Sequence, residues 1–342
     1  MFKMRKKGES IMRMEAQSES WKMLYETATE IGKQKPWNYF WDMELIHLKD
    51  EDAYVSILGR GGEVYGISVY EGELGLNDFK ILSIQNELNI PPSFAMYLQN
   101  NLTCYWGNRE ELSVKQRSII KELGYTYRGK NNWLYFMSFK KGYMPYNLDA
   151  EEVTKMTSYL SSLHFALKEY FVQKPKTNFE QNYILSYSKT TNVFSQIKCD
   201  WEDVGFHAID LANDKELVKD LKSIPKTMGT IEIDVLPMFS AINDKNYDRP
   251  INPAMCMITE SRSGMILAAE LSSPKSSALI QLINTFVNMV FKRGLPRKIR
   301  VCNGIIASCL DDICRILNIK LELKPFLPAI NEAMNSFGRF IQ

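Results

Sequence analysis

Apolar residues recur at helical spacing from Ser20 to Lys33, with Trp21, Leu24, Tyr25, Ala28 and Ile31 on one stripe, and Pro36-Trp37 stops the run. Two β-rich runs, Tyr54–Leu58 and Glu63–Tyr70, flank Gly59-Arg60-Gly61-Gly62 and predict a hairpin. A helix over Gly75–Leu88, a strand over Leu102–Trp106 and a helix over Ser113–Leu123 follow. Ser113 is placed to cap the last of these and Gly124 to end it. Trp133–Phe139 alternates as a strand, and Asp149, with Glu151 and Glu152 in the first turn, opens a long helix to Phe171. Together these elements predict an α+β domain built on an antiparallel sheet.

Lys174–Thr177, with Pro175 and no apolar period, is the expected boundary. Tyr183–Tyr187 and Val193–Cys199 read as a hairpin, and Asn213 is expected to cap a charged helix over Asp214–Lys222. Then Ile231, Ile233 and Val235 point to one side of a strand while Glu232 and Asp234 point to the other. Ala254–Thr259 is almost wholly apolar, as a strand covered on both faces should be. A turn at Ser261–Gly264 leads to a third strand, Met265–Leu271. A helix carrying Leu282, Phe286 and Val290 ends at Gly294, and Lys298–Val301 forms a fourth strand. A helix over Ile305–Leu317, a strand around Leu321–Leu323 and a final helix capped by Asn331 complete the pattern. The chain is thus expected to divide into a disordered leader (1–14), an α+β domain (15–173), a connecting segment with its hairpin and helix (174–228), and an α/β domain (229–342) with a mixed five-stranded sheet flanked by helices.

Composition narrows the class without naming a role. The 342 residues are 45% hydrophobic and 24% charged with a net charge of +2, which opposes disorder and announces no polyanion partner. No apolar run reaches the 18 or more residues of a membrane span, and the basic start lacks the apolar core of a secretory signal, so no membrane partner is expected. Six scattered cysteines without a C-x-x-C, and His47, His164 and His207 far apart, suggest buried reduced thiols in the cytoplasm rather than a disulfide frame or a zinc clamp.

Candidate chemistry lies in the last third. Asp234, then Glu260-Ser261-Arg262-Ser263-Gly264, then Gly294-Leu295-Pro296-Arg297-Lys298-Ile299-Arg300-Val301-Cys302-Asn303-Gly304, then Pro325-Phe326-Leu327-Pro328-Ala329-Ile330-Asn331-Glu332 follow one another in order. This succession, with its strand and helix order, resembles the RNase H-like core of retroviral integrases and DDE transposases. The resemblance implies a first-strand acid at Asp234, a last-helix acid at Glu332, and a catalytic Asp where Cys302 stands. Two-metal phosphodiester chemistry needs converging carboxylates, and a thiol serves Mg²⁺ poorly. Losing the bridging ligand is expected to remove roughly 10³-fold or more in rate. The resulting expectation is a binding or scaffolding module with a degenerate core, no cofactor and an unknown protein partner. The competing one is a Mg²⁺- or Mn²⁺-dependent nuclease in which Glu232 or Glu260 supplies the third carboxylate and Asp234 and Glu332 hold the metal. The chain as a whole also resembles a bacterial two-domain family of domains of unknown function, through Arg128-Gly129-Lys130-Asn131 and Gly142-Tyr143-Met144-Pro145-Tyr146. That resemblance implies no activity.

Two surfaces invite a nucleic-acid reading. Lys292, Arg293, Arg297, Lys298 and Arg300 cluster around one loop and would neutralise phosphates, although cations also suit a helix C-terminus. Arg128, Lys130 and Trp133 would offer a basic-aromatic platform, or else a strand entry whose aromatics plug the core.

Overall fold

The computed structural model describes residues 13–205 and 214–340. In chain order the regular elements are α1 (Ser18–Gln34), β1 (Ile46–Leu48), β2 (Ala53–Leu58), β3 (Tyr65–Glu71), α2 (Gly72–Ser83), α3 (Pro92–Tyr97), β4 (Asn101–Gly107), α4 (Val114–Glu122), β5 (Trp133–Phe139) and α5 (Ala150–Gln173). They continue as β6 (Tyr183–Ser188), β7 (Val193–Lys198), α6 (Lys215–Ser223), β8 (Met228–Pro237), β9 (Ala254–Glu260), β10 (Ile266–Leu271), α7 (Ala278–Arg293), β11 (Pro296–Val301), α8 (Gly304–Ile316), β12 (Lys320–Leu323) and α9 (Pro328–Phe340).

Seven strands form the first sheet in the order β5-β4-β3-β2-β1-β6-β7. It is mixed rather than antiparallel, because β1 runs parallel to β6 while every other neighbour is antiparallel. The expectation failed at β1. Ile46-His47-Leu48 is only three residues long, and all three are buried, so it carries no alternation to read. This short strand brings the hairpin β6–β7 into the first sheet rather than leaving it in a connecting segment. Helices α1 and α5 cover one face, burying Trp21, Leu24, Leu160 and Leu163 against Val55, Ile67 and Val69. The expected caps are in place: Ser113 with Gln116 and Asp149 with Glu152 each form a reciprocal capping box.

The second sheet has five strands in the order β10-β9-β8-β11-β12, with β9 antiparallel to both its neighbours and β11 and β12 parallel to β8. Counted within this sheet, the order is third, second, first, fourth, fifth. Helices α7 and α8 bury Phe286, Leu282, Ile306 and Leu310 against Ile231, Ile233 and Val235, while α9 packs Ile330 and Ala333 on the opposite face against Met257. Two cap expectations shift. Asn213 lies outside the described residues, and Asp214 caps α6 by accepting from the Leu217 N–H. Asn331 sits inside α9, which begins at Pro328.

The two sheets are not independent. Ile81, Ile90, Phe94 and Tyr97, from the excursion between β3 and β4, belong to the second core. At the N-terminus of α8, Gly304 donates its N–H to the Leu88 carbonyl at 2.9 Å, and a Cβ there would lie 2.4 Å from that oxygen. The β8–β9 loop then reaches back to the first sheet. Tyr143 bridges Ile251, Met144 donates to the Pro250 carbonyl at 3.0 Å, and Asn252 donates to that of Gly142 at 2.8 Å. The loop delivers Arg249, whose side chain is fully buried, to Ser138 Oγ (2.8 Å), Glu152 Oε1 (3.1 Å) and Asp149 Oδ2 (3.4 Å). Glu152 also receives Lys140 Nζ at 2.9 Å. Burial pushes this carboxyl up, but Lys140, Arg249, the Asp149 N–H and Ser138 outweigh it and hold it at about 2.

Breaking a buried pair by removing one partner leaves a stranded charge. Arg249→Met is therefore expected to cost roughly 3–5 kcal/mol in denaturant unfolding, and Arg249→Met with Glu152→Gln less than the sum of the single changes. Because Glu152 is held below its ordinary 4.5, its contribution is full above that pH and is lost as pH falls toward about 2. Arg249→Met should flatten the acid limb of the stability curve in that window; an unaltered limb would remove the clamp from the account.

Candidate functional site

The outer face of the second sheet carries the sequence-predicted acids. Glu232 and Asp234 share one side of β8, paired across to Thr259 and Met257 of β9 and, for Glu232, to Arg300 of β11. Helix α9 lies over this face.

Glu232 is completely buried, and both its oxygens are taken. Oε1 accepts from Ser261 Oγ at 2.8 Å, and Oε2 accepts from the backbone N–H groups of Ala329 (2.8 Å) and Ile330 (3.3 Å). These are two of the orphan donors of the first turn of α9, so Glu232 acts as a cap supplied from another element, with its charge against the helix dipole. Ser261 in turn accepts from Arg300 Nη1 at 3.1 Å. A sequence signal for this arrangement existed. Leu327, which precedes Pro328, has no side-chain oxygen to cap with, so the anchor had to come from elsewhere.

Asp234 is 7% exposed. Its Oδ1 accepts the Val235 N–H at 2.8 Å, and its Oδ2 accepts from Cys302 Sγ at 3.3 Å. Burial raises the carboxyl to about 6, against the opposing pull of the Val235 N–H and the Cys302 thiol. The thiol is itself pushed up to about 12, first by burial and then by the neighbouring Asp234. At neutral pH the pair is therefore a carboxylate accepting from a thiol, and the thiol is not a nucleophile. Cys302, with Leu236, Met255 and Met334, packs against the buried apolar cluster of Met257, Leu327, Ile330 and Ala333.

The other two acids lie elsewhere. Glu260 is in register with Ile231 and so faces the opposite side of the sheet from Glu232. Its Oε2 accepts from Arg262 N (3.1 Å) and Ser263 N (2.5 Å), which fixes the β9–β10 turn, and the Ser263 hydroxyl, then the Ser263 N–H and Arg262, hold its carboxyl low. Glu332 is exposed on α9, with Oε2 3.8 Å from where a Cβ of Gly264 would stand. Among the described residues, no three His, Cys, Asp or Glu side chains are grouped so as to hold a metal ion. His207, the sole histidine of this region in the sequence, lies outside the described residues.

The basic residues divide. Lys298 and Arg300 turn toward Glu322 of β12 at 3.0 and 3.5 Å, joined by Lys320 at 2.9 Å and Lys324 at 3.7 Å. Lys320 and Lys298 hold the Glu322 carboxyl at about 2. The register Lys298↔Lys320 and Arg300↔Glu322 assembles this charged group from two strands. Arg297 points to the other face, and Lys292 and Arg293 are exposed at the end of α7. In the first domain Arg128 and Lys130 are exposed on a loop. Trp133 is half-buried, with the Tyr127 ring at 6.1 Å and the Arg109 guanidinium at 6.0 Å, and with Tyr125 and Tyr127 it packs on the core. The Gly142–Tyr146 segment is the docking strand for the loop that carries Arg249.

Residues 21–186 match the model of a domain of unknown function, DUF7309. Residues 217–338 match that of a second, DUF6930. No curated protein matches the chain. Among solved structures, the dimeric form of the HTLV-2 integrase catalytic core domain in complex with magnesium is 16% identical, the match covering 29% of this chain and 63% of that one at a TM-score of 0.22. Its trimeric form is 14% identical, with coverage of 32% and 68% and a TM-score of 0.23. The chain thus spans less than two thirds of the first of these structures. Among the described residues, no helix is long and apolar enough to cross a membrane.

Asp234 supplies a direct test of this geometry. A buried carboxyl raised from 3.8 to about 6 stabilises the fold when protonated, and that stability is lost as pH rises from 3.8 through 6. At about 1.4 kcal/mol per tenfold, ionisation costs roughly 3 kcal/mol above that range. Asp234→Asn should therefore stabilise the chain at pH 8 by roughly 1–3 kcal/mol in urea unfolding, the gain fading below about pH 4. A loss of stability at pH 8 would show that the carboxylate is wanted in its charged form.

Proposed function

We propose that this chain is a non-catalytic binding or scaffolding protein, and that its second domain is an RNase H-like core whose acids have become structural. The strand order and directions of the second sheet support the fold reading. The observation that carries the functional reading is Glu232. The best-buried acid of the face where such cores hold their metals spends one oxygen on Ser261 and the other on the N-terminus of α9. Hard divalent ions take oxygen ligands in number and in near-octahedral array. Here Asp234 faces a thiol, Glu232 a helix end, Glu260 the opposite side of the sheet and Glu332 the solvent. Closure of this face by α9, with Met334 of that helix and Met257 of β9 in one apolar cluster, further favours architecture over turnover.

The full chain is to be incubated with labelled single- and double-stranded DNA and RNA in Mg²⁺ or Mn²⁺, beside Asp234→Asn and Glu332→Gln. We expect no metal-dependent strand scission and no metal-dependent rise in the unfolding midpoint. Scission that disappears in Asp234→Asn would replace this reading with that of a nuclease.

One observation favours a second reading, polyanion binding. Lys298, Arg300, Lys320 and Lys324 surround the single carboxylate of Glu322, with the exposed ring of Phe326 nearby in sequence. Fluorescence anisotropy on a single-stranded oligonucleotide should then show affinity falling steeply with salt, and the double change Lys320→Glu with Lys324→Glu should reduce it at least tenfold. A flat salt response removes this reading.

A further inference from the structure

A cleft of about 410 Å³ opens in the first domain, where β3 ends, β4 begins and β5 ends, between α2 and the first turns of α5. Its floor is one register row across three strands: Val69, Leu102 and Ser138. Three ion pairs ring it, each joining two different elements: Lys141 to Asp78 (2.6 Å), Lys140 to Glu152 (2.9 Å) and Lys155 to Glu71 (3.2 Å). In the first two, the carboxylate is buried behind a lysine whose side chain is more than two-fifths exposed, so the ammonium is held in place but keeps protons to donate. Tyr143 and Phe139 add aromatic surface at the rim.

The lining argues against a ligand of a single net charge. It carries five carboxylates, those of Glu71, Asp78, Asp149, Glu151 and Glu152, which repel an anion, and three lysines, which repel a cation. What remains is a wall of donors beside acceptors over a partly apolar floor. A hydroxyl is both donor and acceptor, so vicinal hydroxyls satisfy such pairs on both counts, while the C–H face of a ring lies on Val69, Leu102 and the rim aromatics. We infer that this cleft binds a neutral polyhydroxylated ligand of mono- to disaccharide size. The site belongs to the first domain, and the inference stands whether or not the acids of the second domain act.

Saturation-transfer NMR on the full chain is the test, with glucose, maltose, cellobiose, trehalose and N-acetylglucosamine as probes, and glucosamine and glucuronate as charged counterparts. At least one neutral saccharide should receive transfer and be preferred over both charged sugars. Leu74→Trp fills the mouth from a side chain that is 67% exposed and is itself no member of an ion pair, and it should abolish the signal with an unchanged unfolding midpoint. Lys155→Met removes two pairs whose acids, Glu71 and Glu151, are both well exposed, and it should weaken binding at least fivefold while the fold holds. The inference is overturned if none of the five neutral saccharides gives transfer, if Leu74→Trp leaves the signal intact, or if glucosamine or glucuronate binds more tightly than every neutral probe.

Discussion

A guanidinium withdrawn from water must find acids, and the burial of Arg249 organises this molecule. It enters from the β8–β9 loop of one domain and finds Glu152, Asp149 and Ser138 of the other. Satisfying it requires that the loop form backbone pairs with Gly142–Met144, that α5 present its capping box, and that β5 end where Ser138 can receive it. The same Glu152 is thus helix cap, domain clamp and cleft wall. A change at any of these three is felt by the others, since networked side chains do not contribute additively.

The second domain uses buried acids by the same logic. Glu232 resides in a fully dry position because two backbone N–H groups and a hydroxyl replace its water. Asp234 has poorer compensation, one N–H and one weakly donating thiol, and its carboxyl rises accordingly. Two carboxylates two residues apart on one strand therefore differ in what they cost the fold. That difference arises from what α9 and Cys302 bring to them, and it ties the closing helix to the first strand of the sheet.

Much of the fold was legible because its signals are local. The stripe of α1, the capping boxes at Ser113 and Asp149, the aromatic-rich run of β5 and the apolar run of β9 each follow from residues close together in the chain. β1 was missed because three buried residues have no period. α3 was missed because six residues after Asn89-Ile90-Pro91 give barely one turn and a half. The site was less legible. Sequence placed Glu232 and Asp234 on one face correctly, but it could not say that α9 would take Glu232 for its cap or that Glu260 would face away. Nor could it gather Lys320, Glu322 and Lys324 to Lys298 and Arg300, since that depends on strand register.

The sequence by itself determined where the chain would be helical or extended and which side of each element would be apolar, because periodicity and capping are set by neighbours within a few residues. Only the tertiary structure decided that β1 would join β6 in parallel, that Gly142–Tyr146 would be a seam between domains, and that Asp78, Lys141, Lys140 and Lys155 would face one another across a cleft. The physical reason is range. Hydrogen bonds and close ion pairs need contact at about 3–4 Å, and groups that are 63 residues apart in the chain, as Asp78 and Lys141 are, come within that range only after packing has fixed both.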